Sequence, residues 1–241
     1  MRSLICVLYI IFYTWITAPA RYKNHKVTDD EEAIKRARVN NYRLTQGLCR
    51  GIIRIAGIKL EVQGQENLLN RGTSVYMGTH KSYLDVVIMI ALIDEPLTFI
   101  GKAEVDKLPF IRTWFHAIGG LSLEREDIRQ SFKVIIEAIE ELKEGHSVAI
   151  FPEGTRAKGR EMGAFKAGSF KLATKANVPI IPIVMQDTFK LLEEKKRLRP
   201  ATIHVKIGDA IDVPFLSKEK KQTIAKDTEN HMKRLLENVT I

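Results

Sequence analysis

Apolar and polar residues follow three rhythms along this chain. Residues 4–18 are almost unbroken apolar sequence. Ile34, Ala37, Leu44, Leu48, Ile52, Ile55 and Ala56 then recur at spacings of three, four or seven, while Lys35, Arg36, Arg38, Arg43, Arg50 and Arg54 take other positions. That period predicts an amphipathic helix. Thr28-Asp29-Asp30-Glu31 reads as a capping box that opens it. After residue 57 short β-rich runs alternate with helical patterns. Strands are predicted near 59–62, 74–78, 98–100, 121–123, 147–151, 180–184 and 203–207, and helices near 83–91, 110–117, 129–143, 167–175 and 218–237. This alternation predicts an α/β fold, a central, largely parallel mixed sheet flanked by helices; the apolar and amphipathic stretches ahead of it read as an N-terminal membrane-associating two-helix segment. The chain divides into that lead, 1–56, and an α/β domain, 57–241. Residues 190–199 read as a charged, solvated surface segment.

The apolar lead would rise only ~22 Å as a helix at ~1.5 Å per residue, against ~30 Å of hydrocarbon. Tyr13 and Trp15 suit a membrane boundary, and Arg21, Lys23 and Lys26 direct the following chain to the cytoplasm. Ala18-Pro19-Ala20 equally resembles a signal-peptide cleavage site. The amphipathic helix reads either as lying on anionic lipid or as packing on the core with its charges solvated.

Composition adds a sign of charge. The chain has 241 residues, 45% hydrophobic, with 38 Lys and Arg against 29 Asp and Glu, a formal charge of +9. Such a balance points to an anionic membrane, a phosphorylated ligand or nucleic acid. The basic residues are scattered without a recognisable reading module, so no nucleic acid is expected. Cys6 and Cys49 form neither a disulfide framework nor a metal spacing. No P-loop, dinucleotide fingerprint or zinc motif occurs, so neither cofactor nor metal is implied. Gly145-His146-Ser147-Val148-Ala149 runs from helix to strand, the reverse of a serine-hydrolase elbow.

Candidate chemistry gathers where strands end. Thr79-His80-Lys81-Ser82-Tyr83-Leu84-Asp85 links a strand to a helix. If His80 lies on the loop and Asp85 in the first helical turn, the carboxylate can hold one ring nitrogen and leave the other as a base. Asp85 could instead cap the helix with Ser82, leaving His80 incidental. Phe151-Pro152-Glu153-Gly154-Thr155-Arg156 offers a glycine for close approach and a guanidinium fork for phosphate. Residues 119–125 end another strand with Arg125. Phe165-Lys166-Ala167-Gly168 opens a helix, where a cation and free N–H groups can meet an anion. Val178-Pro179-Ile180-Ile181-Pro182 reads as architecture. His25, His116, His146, His204 and His231 show no partnering pattern.

Together these segments resemble the lysophosphatidic acid acyltransferase family, the PlsC-type glycerolipid acyltransferases. His80-x4-Asp85 is similar to its catalytic block, residues 119–125 and 151–156 to its two substrate-binding blocks, and residues 178–182 to its fourth. Thr79 stands where Asn is frequent, and Ser122 where an aromatic is usual. The lead also resembles the family's membrane-dipping helices. The resemblance implies an acyltransferase moving an acyl chain from acyl-CoA or acyl-carrier protein to lysophosphatidic acid. His80 would be the general base, oriented by Asp85. Arg125 and Arg156 would grip the acceptor phosphate, with Lys102 and Lys166 as further candidates. Glu153, Gly154 and Thr155 would bind substrate or structure the site. Backbone N–H groups near Gly154 are candidate oxyanion donors, and no covalent acyl-enzyme is implied. A cytoplasmic donor also decides the lead: it is retained as a membrane element at the cytoplasmic face. Acylation of another lysophospholipid, or a catalytically idle membrane-binding protein, are the competing readings.

Overall fold

The strands at the middle of the sheet are buried at every position because the sheet is covered on both faces. The computed structural model describes the chain except residues 29, 70, 71, 125, 126, 158, 160, 240 and 241. Its helices are α1 (Arg2–Ile16), α2 (Ala18–His25), α3 (Glu31–Ala56), α4 (Leu84–Leu92), α5 (Pro109–Ala117), α6 (Ile128–Lys143), α7 (Lys171–Ala176) and α8 (Lys218–Glu237). Its strands are β1 (Ile58–Gln63), β2 (Val75–Gly78), β3 (Leu97–Lys102), β4 (Leu121–Leu123), β5 (Ser147–Ile150), β6 (Ile180–Met185) and β7 (Ala201–Ile207). Short 3-10 turns join several of them.

The seven strands form one sheet in the order β1-β7-β6-β2-β5-β3-β4. Every neighbouring pair is parallel except β6 with β7. Alternation in β2 and β5 sends Tyr76 and Ala149 to one face, where they join residues of α3, α4 and α5. Val75, Met77, Val148 and Ile150 point to the other face, against α6 and α7. The product is the three-layer α/β sandwich that the alternating pattern predicts. In parallel neighbours β2, β5 and β3 the C-terminal ends share one edge, which places the loops after residues 78, 102 and 150 side by side.

The lead is built into this body. Cys6, Tyr42, Leu48, Cys49, Ile52 and Ala56 belong to the same apolar cluster as Ile88, Phe99 and Ile183. The apolar face of α3 is therefore used in packing. On α1, Tyr9 and Tyr13 lie over Gly47 and Gly51 of α3, where an added Cβ would collide with the tyrosine hydroxyls. Those hydroxyls donate to Gly47 O at 3.4 Å and Leu44 O at 3.2 Å. Trp114 of α5 donates its indole N–H to Thr14 Oγ1 at 2.8 Å, and Arg21 sits over the same ring. The opposite face of α1 carries exposed Leu4, Leu8, Phe12 and Trp15, one stripe at helical spacing. No single described helix is long and apolar enough to cross a membrane. Only α1 and α2 together reach that criterion, as a pair bent by 51°.

Three local expectations need correction. The cap of α3 is Asp30, which accepts the Glu32 N–H, rather than Thr28. The nearer carboxylate takes the free amide and shortens the helix; Asp29 lies outside the described residues. The helix expected over 167–175 divides into a 3-10 turn (Ala167–Phe170) and α7. Residues 190–199 are not simply solvated: Leu191 is fully buried, and Glu193 turns inward to the loop after β2.

Candidate active site

Two backbone ties set the loop that follows β2. Thr79 donates its N–H to Ile183 O, and its hydroxyl accepts the Met185 N–H at 2.9 Å. A hydroxyl suffices for this link to β6, which is a physical use for Thr79. The next amide, that of His80, donates to Glu153 Oε1 at 2.7 Å. Glu153 follows β5, and its second oxygen accepts the Gly163 N–H, also at 2.7 Å. One buried carboxylate thus joins three stretches of chain. Burial pushes the Glu153 carboxyl above its ordinary value, while the amides of His80 and Gly163 oppose that shift.

Asp85 is fully buried in the first turn of α4. Its Oδ2 accepts the N–H groups of Lys81 at 2.6 Å and Ser82 at 2.7 Å, and lies 3.0 Å from His80 Nδ1. Ser82 Oγ in turn accepts the Leu84 N–H at 3.1 Å. The Ser82 N–H contact and the His80 contact, posed as alternatives by the sequence, are made by the same carboxylate oxygen. With Nδ1 engaged by Asp85, Nε2 is the ring nitrogen left for chemistry. The imidazole also stacks on Phe151, with centroids 4.1 Å apart and planes inclined by 18°. Beside it, Lys81 is almost wholly buried. Loss of solvent lowers its pKa, opposed by the negative charges of Glu153, Asp187 and Asp85.

Of the predicted anion-binding residues, Arg156 and Lys166 lie against the loops that carry this centre. Gly154 has φ of 68°, and a Cβ there would meet Lys166 Cε at 2.9 Å, so Lys166 crosses directly over it. The Gly154 N–H donates to Phe151 O at 3.0 Å. It closes a turn and is thereby removed from the candidate oxyanion donors. Thr155 is exposed beside it. Arg156 reaches Glu193 at 3.2 Å and lies over the Tyr83 ring, its Cζ 3.6 Å from the centroid. Lys102 ends β3 on the same edge of the sheet, exposed and paired with Glu104 at 3.1 Å. Arg125 lies outside the described residues.

Sequence reasoning missed Phe151, Tyr83, Lys81 and Glu193. The first three sit inside the blocks it singled out, where their aromatic or basic character was visible but their contacts were not. Glu193 gave no signal, because its partners are 37 and 110 residues away. Three of the other histidines have partners that the sequence did not suggest. His116 pairs with Asp106 at 2.6 Å, His146 with Glu141 at 3.3 Å and His204 with Glu61 at 3.2 Å. Their partners come from a neighbouring turn, a helix end and an adjacent strand, which a linear search for spacing does not connect.

A histidine beside a buried carboxylate at the carboxyl edge of a mostly parallel sheet marks an α/β site suited to proton-transfer chemistry. The comparisons make the class specific: the model of the Acyltransferase family matches residues 59–186, more than half the chain. The chain belongs to that family, and it is an acyltransferase. It is similar to the 1-acyl-sn-glycerol-3-phosphate acyltransferase of Borreliella burgdorferi, with 29% identity over 204 residues, 83% of this chain and 82% of that one. A probable 1-acyl-sn-glycerol-3-phosphate acyltransferase of Mycoplasma pneumoniae is 33% identical over 67% of this chain and 62% of its own. The chloroplastic enzyme BAT2 of Brassica napus is 36% identical over 56% of this chain and 39% of its own. Among solved structures, the 1-acyl-sn-glycerophosphate acyltransferase PlsC of Thermotoga maritima superposes with a TM-score of 0.79, covering 99% of this chain and 98% of that one at 24% identity. That likeness shows the shared fold.

Proposed function

We propose that this acyltransferase moves a fatty acyl chain from acyl-CoA or acyl-carrier protein to the sn-2 hydroxyl of lysophosphatidic acid, giving phosphatidic acid for phospholipid synthesis. The observation that carries this reading is the His80 Nδ1 to Asp85 Oδ2 contact at 3.0 Å, which leaves Nε2 to act as base. The relatives' names supply the acceptor. Nε2 takes the proton of the acceptor hydroxyl as its oxygen attacks the thioester carbonyl. The tetrahedral oxyanion collapses, the C–S bond breaks, and the thiolate takes the proton back from the imidazolium. Asp85 stabilises the transient cation. Glu153 fixes the His80 backbone, and Gly154 and Thr155 shape the adjoining turn. Arg125, Arg156, Lys102 and Lys166 hold the phosphate.

The step needs neither cofactor nor metal. It also needs no acyl-enzyme: Cys6 and Cys49 are buried, and burial pushes the Cys49 thiol up to about 12. The Leu4, Leu8, Phe12 and Trp15 stripe, followed by Arg21, Lys23 and Lys26, supports contact with anionic lipid at the cytoplasmic face. The test is an assay of the purified full-length protein with lysophosphatidic acid, headgroup-bearing lysolipids, and acyl-CoA or acyl-carrier-protein donors. Phosphatidic acid and free thiol are expected in equal amounts. Thiol release only with headgroup-bearing acceptors would reassign the substrate, and none with any acceptor would refute the activity.

A further inference from the structure

Arg156 is held from two directions. The face of its guanidinium lies on the Tyr83 ring, Cζ to centroid 3.6 Å. One edge, Nη1, donates to Glu193 Oε1 at 3.2 Å. The same Glu193 oxygen accepts the Tyr83 backbone N–H at 2.9 Å. One carboxylate therefore joins the arginine to the residue that carries its aromatic platform. Glu193 comes from the segment after β6, beyond all four blocks and beyond the family match at 59–186.

The arrangement differs from a carboxylate that merely occupies the arginine. Tyr83 N–H points out of the start of α4, where the exposed amides and the helix dipole favour a negative charge. Glu193 has this second attachment whether or not Arg156 is engaged. Its hold uses one nitrogen of the guanidinium, and the ring uses one face. An arginine side chain has many rotamers, and a planar fork already fixed in one of them loses less freedom when an anion arrives. The Arg156 side chain keeps about a third of its surface open, so the fork is not sealed off. Tyr83 is three residues from His80, which ties the guanidinium's place to the base's own loop.

We propose that Tyr83 and Glu193 are positioning residues that fix the Arg156 guanidinium for the acceptor's phosphate and so set headgroup preference. The proposal rests on the reading of Arg156 as a phosphate-binding group. The experiment measures acceptor KM, donor KM and kcat in the full-length enzyme with lysophosphatidic acid, with melting temperature as a check on folding. Arg156→Ala should raise acceptor KM about 10- to 100-fold. Tyr83→Leu and Glu193→Ala should each raise it about three- to tenfold, with donor KM unmoved. Tyr83→Phe keeps the ring and should restore the wild-type acceptor KM. In the Arg156→Ala background, Tyr83→Leu and Glu193→Ala should add nothing further. If Glu193→Ala does not fold, Glu193→Gln, which keeps an acceptor for the Tyr83 N–H, should raise acceptor KM by a smaller factor.

An unchanged acceptor KM in Arg156→Ala would remove the phosphate reading itself. A raised KM in Arg156→Ala with unchanged values in Tyr83→Leu and Glu193→Ala would overturn the positioning role alone. A lower acceptor KM in Glu193→Ala would also overturn it, since Glu193 would then compete with the phosphate.

Discussion

Two histidines of this chain stand beside carboxylates at opposite edges of the same sheet. His80 is 3.0 Å from Asp85 at the carboxyl edge, and His146 is 3.3 Å from Glu141 just before β5. Five residues separate the partners in both pairs. What differs is what else touches the carboxylate. Asp85 is buried and receives two backbone amides. Glu141 receives a guanidinium instead: Arg38 of α3 donates to it at 2.5 Å and to His146 Nδ1 at 3.0 Å, and also bonds Thr98. In the first pair the amides fix the carboxylate's geometry but leave its charge for the imidazolium. In the second a permanent cation takes the charge, and the pair becomes a clamp between the lead and the domain. A histidine and an acid at matching spacing are therefore insufficient; the identity of the third partner separates the proposed base from a structural tie.

The largest test of this contrast is catalytic. His80→Ala should lower kcat about 10²- to 10⁴-fold. Asp85→Ala in that background should cost little more, because the two act as a unit. His146→Ala should leave kcat within about twofold, since it acts only on the clamp. Steady-state kinetics on the three variants would break the comparison if His146→Ala were the more damaging change.

Much of the layout was legible because it rests on periodicity. The apolar run at Ser147–Ile150 and the amphipathic period of α6 follow from a sheet covered on both sides and a helix with one wet face. The His80–Asp85 approach was legible as a possibility, since a loop residue and a first-turn residue can meet. Its alternative, the cap, was equally legible, and only coordinates show one carboxylate serving both. Glu153 was marked as a candidate, but its hold on His80 N–H and Gly163 N–H spans 73 and 10 residues. Glu193 and Arg38 were invisible in their roles. Each sits in a charged stretch that reads as solvated, and tertiary packing alone turns it inward.

A smaller effect distinguishes the clamp by its pH dependence. Burial alone would raise the Glu141 carboxyl, but hydrogen bonds from His146 and Arg38 outweigh it and bring the value from the ordinary 4.5 to about 2. A depressed value means that the folded state prefers the ionised form. Its contribution is complete above about 4.5 and is lost as pH falls through about 2. Glu141→Gln should therefore lower stability by about 1.5–3 kcal/mol near neutral pH, as expected for hydrogen bonds to a charged group. The gap to wild type should shrink in denaturant titrations taken from about pH 5 toward about pH 3.

The smallest effect has the opposite slope. Glu153 accepts from the backbone amides of His80 and Gly163, and burial outweighs these amides and the nearby Lys81 charge to raise its carboxyl above 4.5. A raised value means that the folded state prefers the protonated form. Its contribution is then complete below the unfolded value and is lost as pH rises through the folded one. Glu153→Gln keeps one carbonyl oxygen for an amide but sets an N–H₂ group against the other. The cost should be about 1 kcal/mol, largest at acid pH, and it should narrow as pH rises. Equilibrium unfolding of both variants across the same pH series reads the two slopes together. Equal slopes would mean that a cation, rather than amides and burial, governs both glutamates, and the distinction between the two edges of the sheet would lose its electrostatic basis.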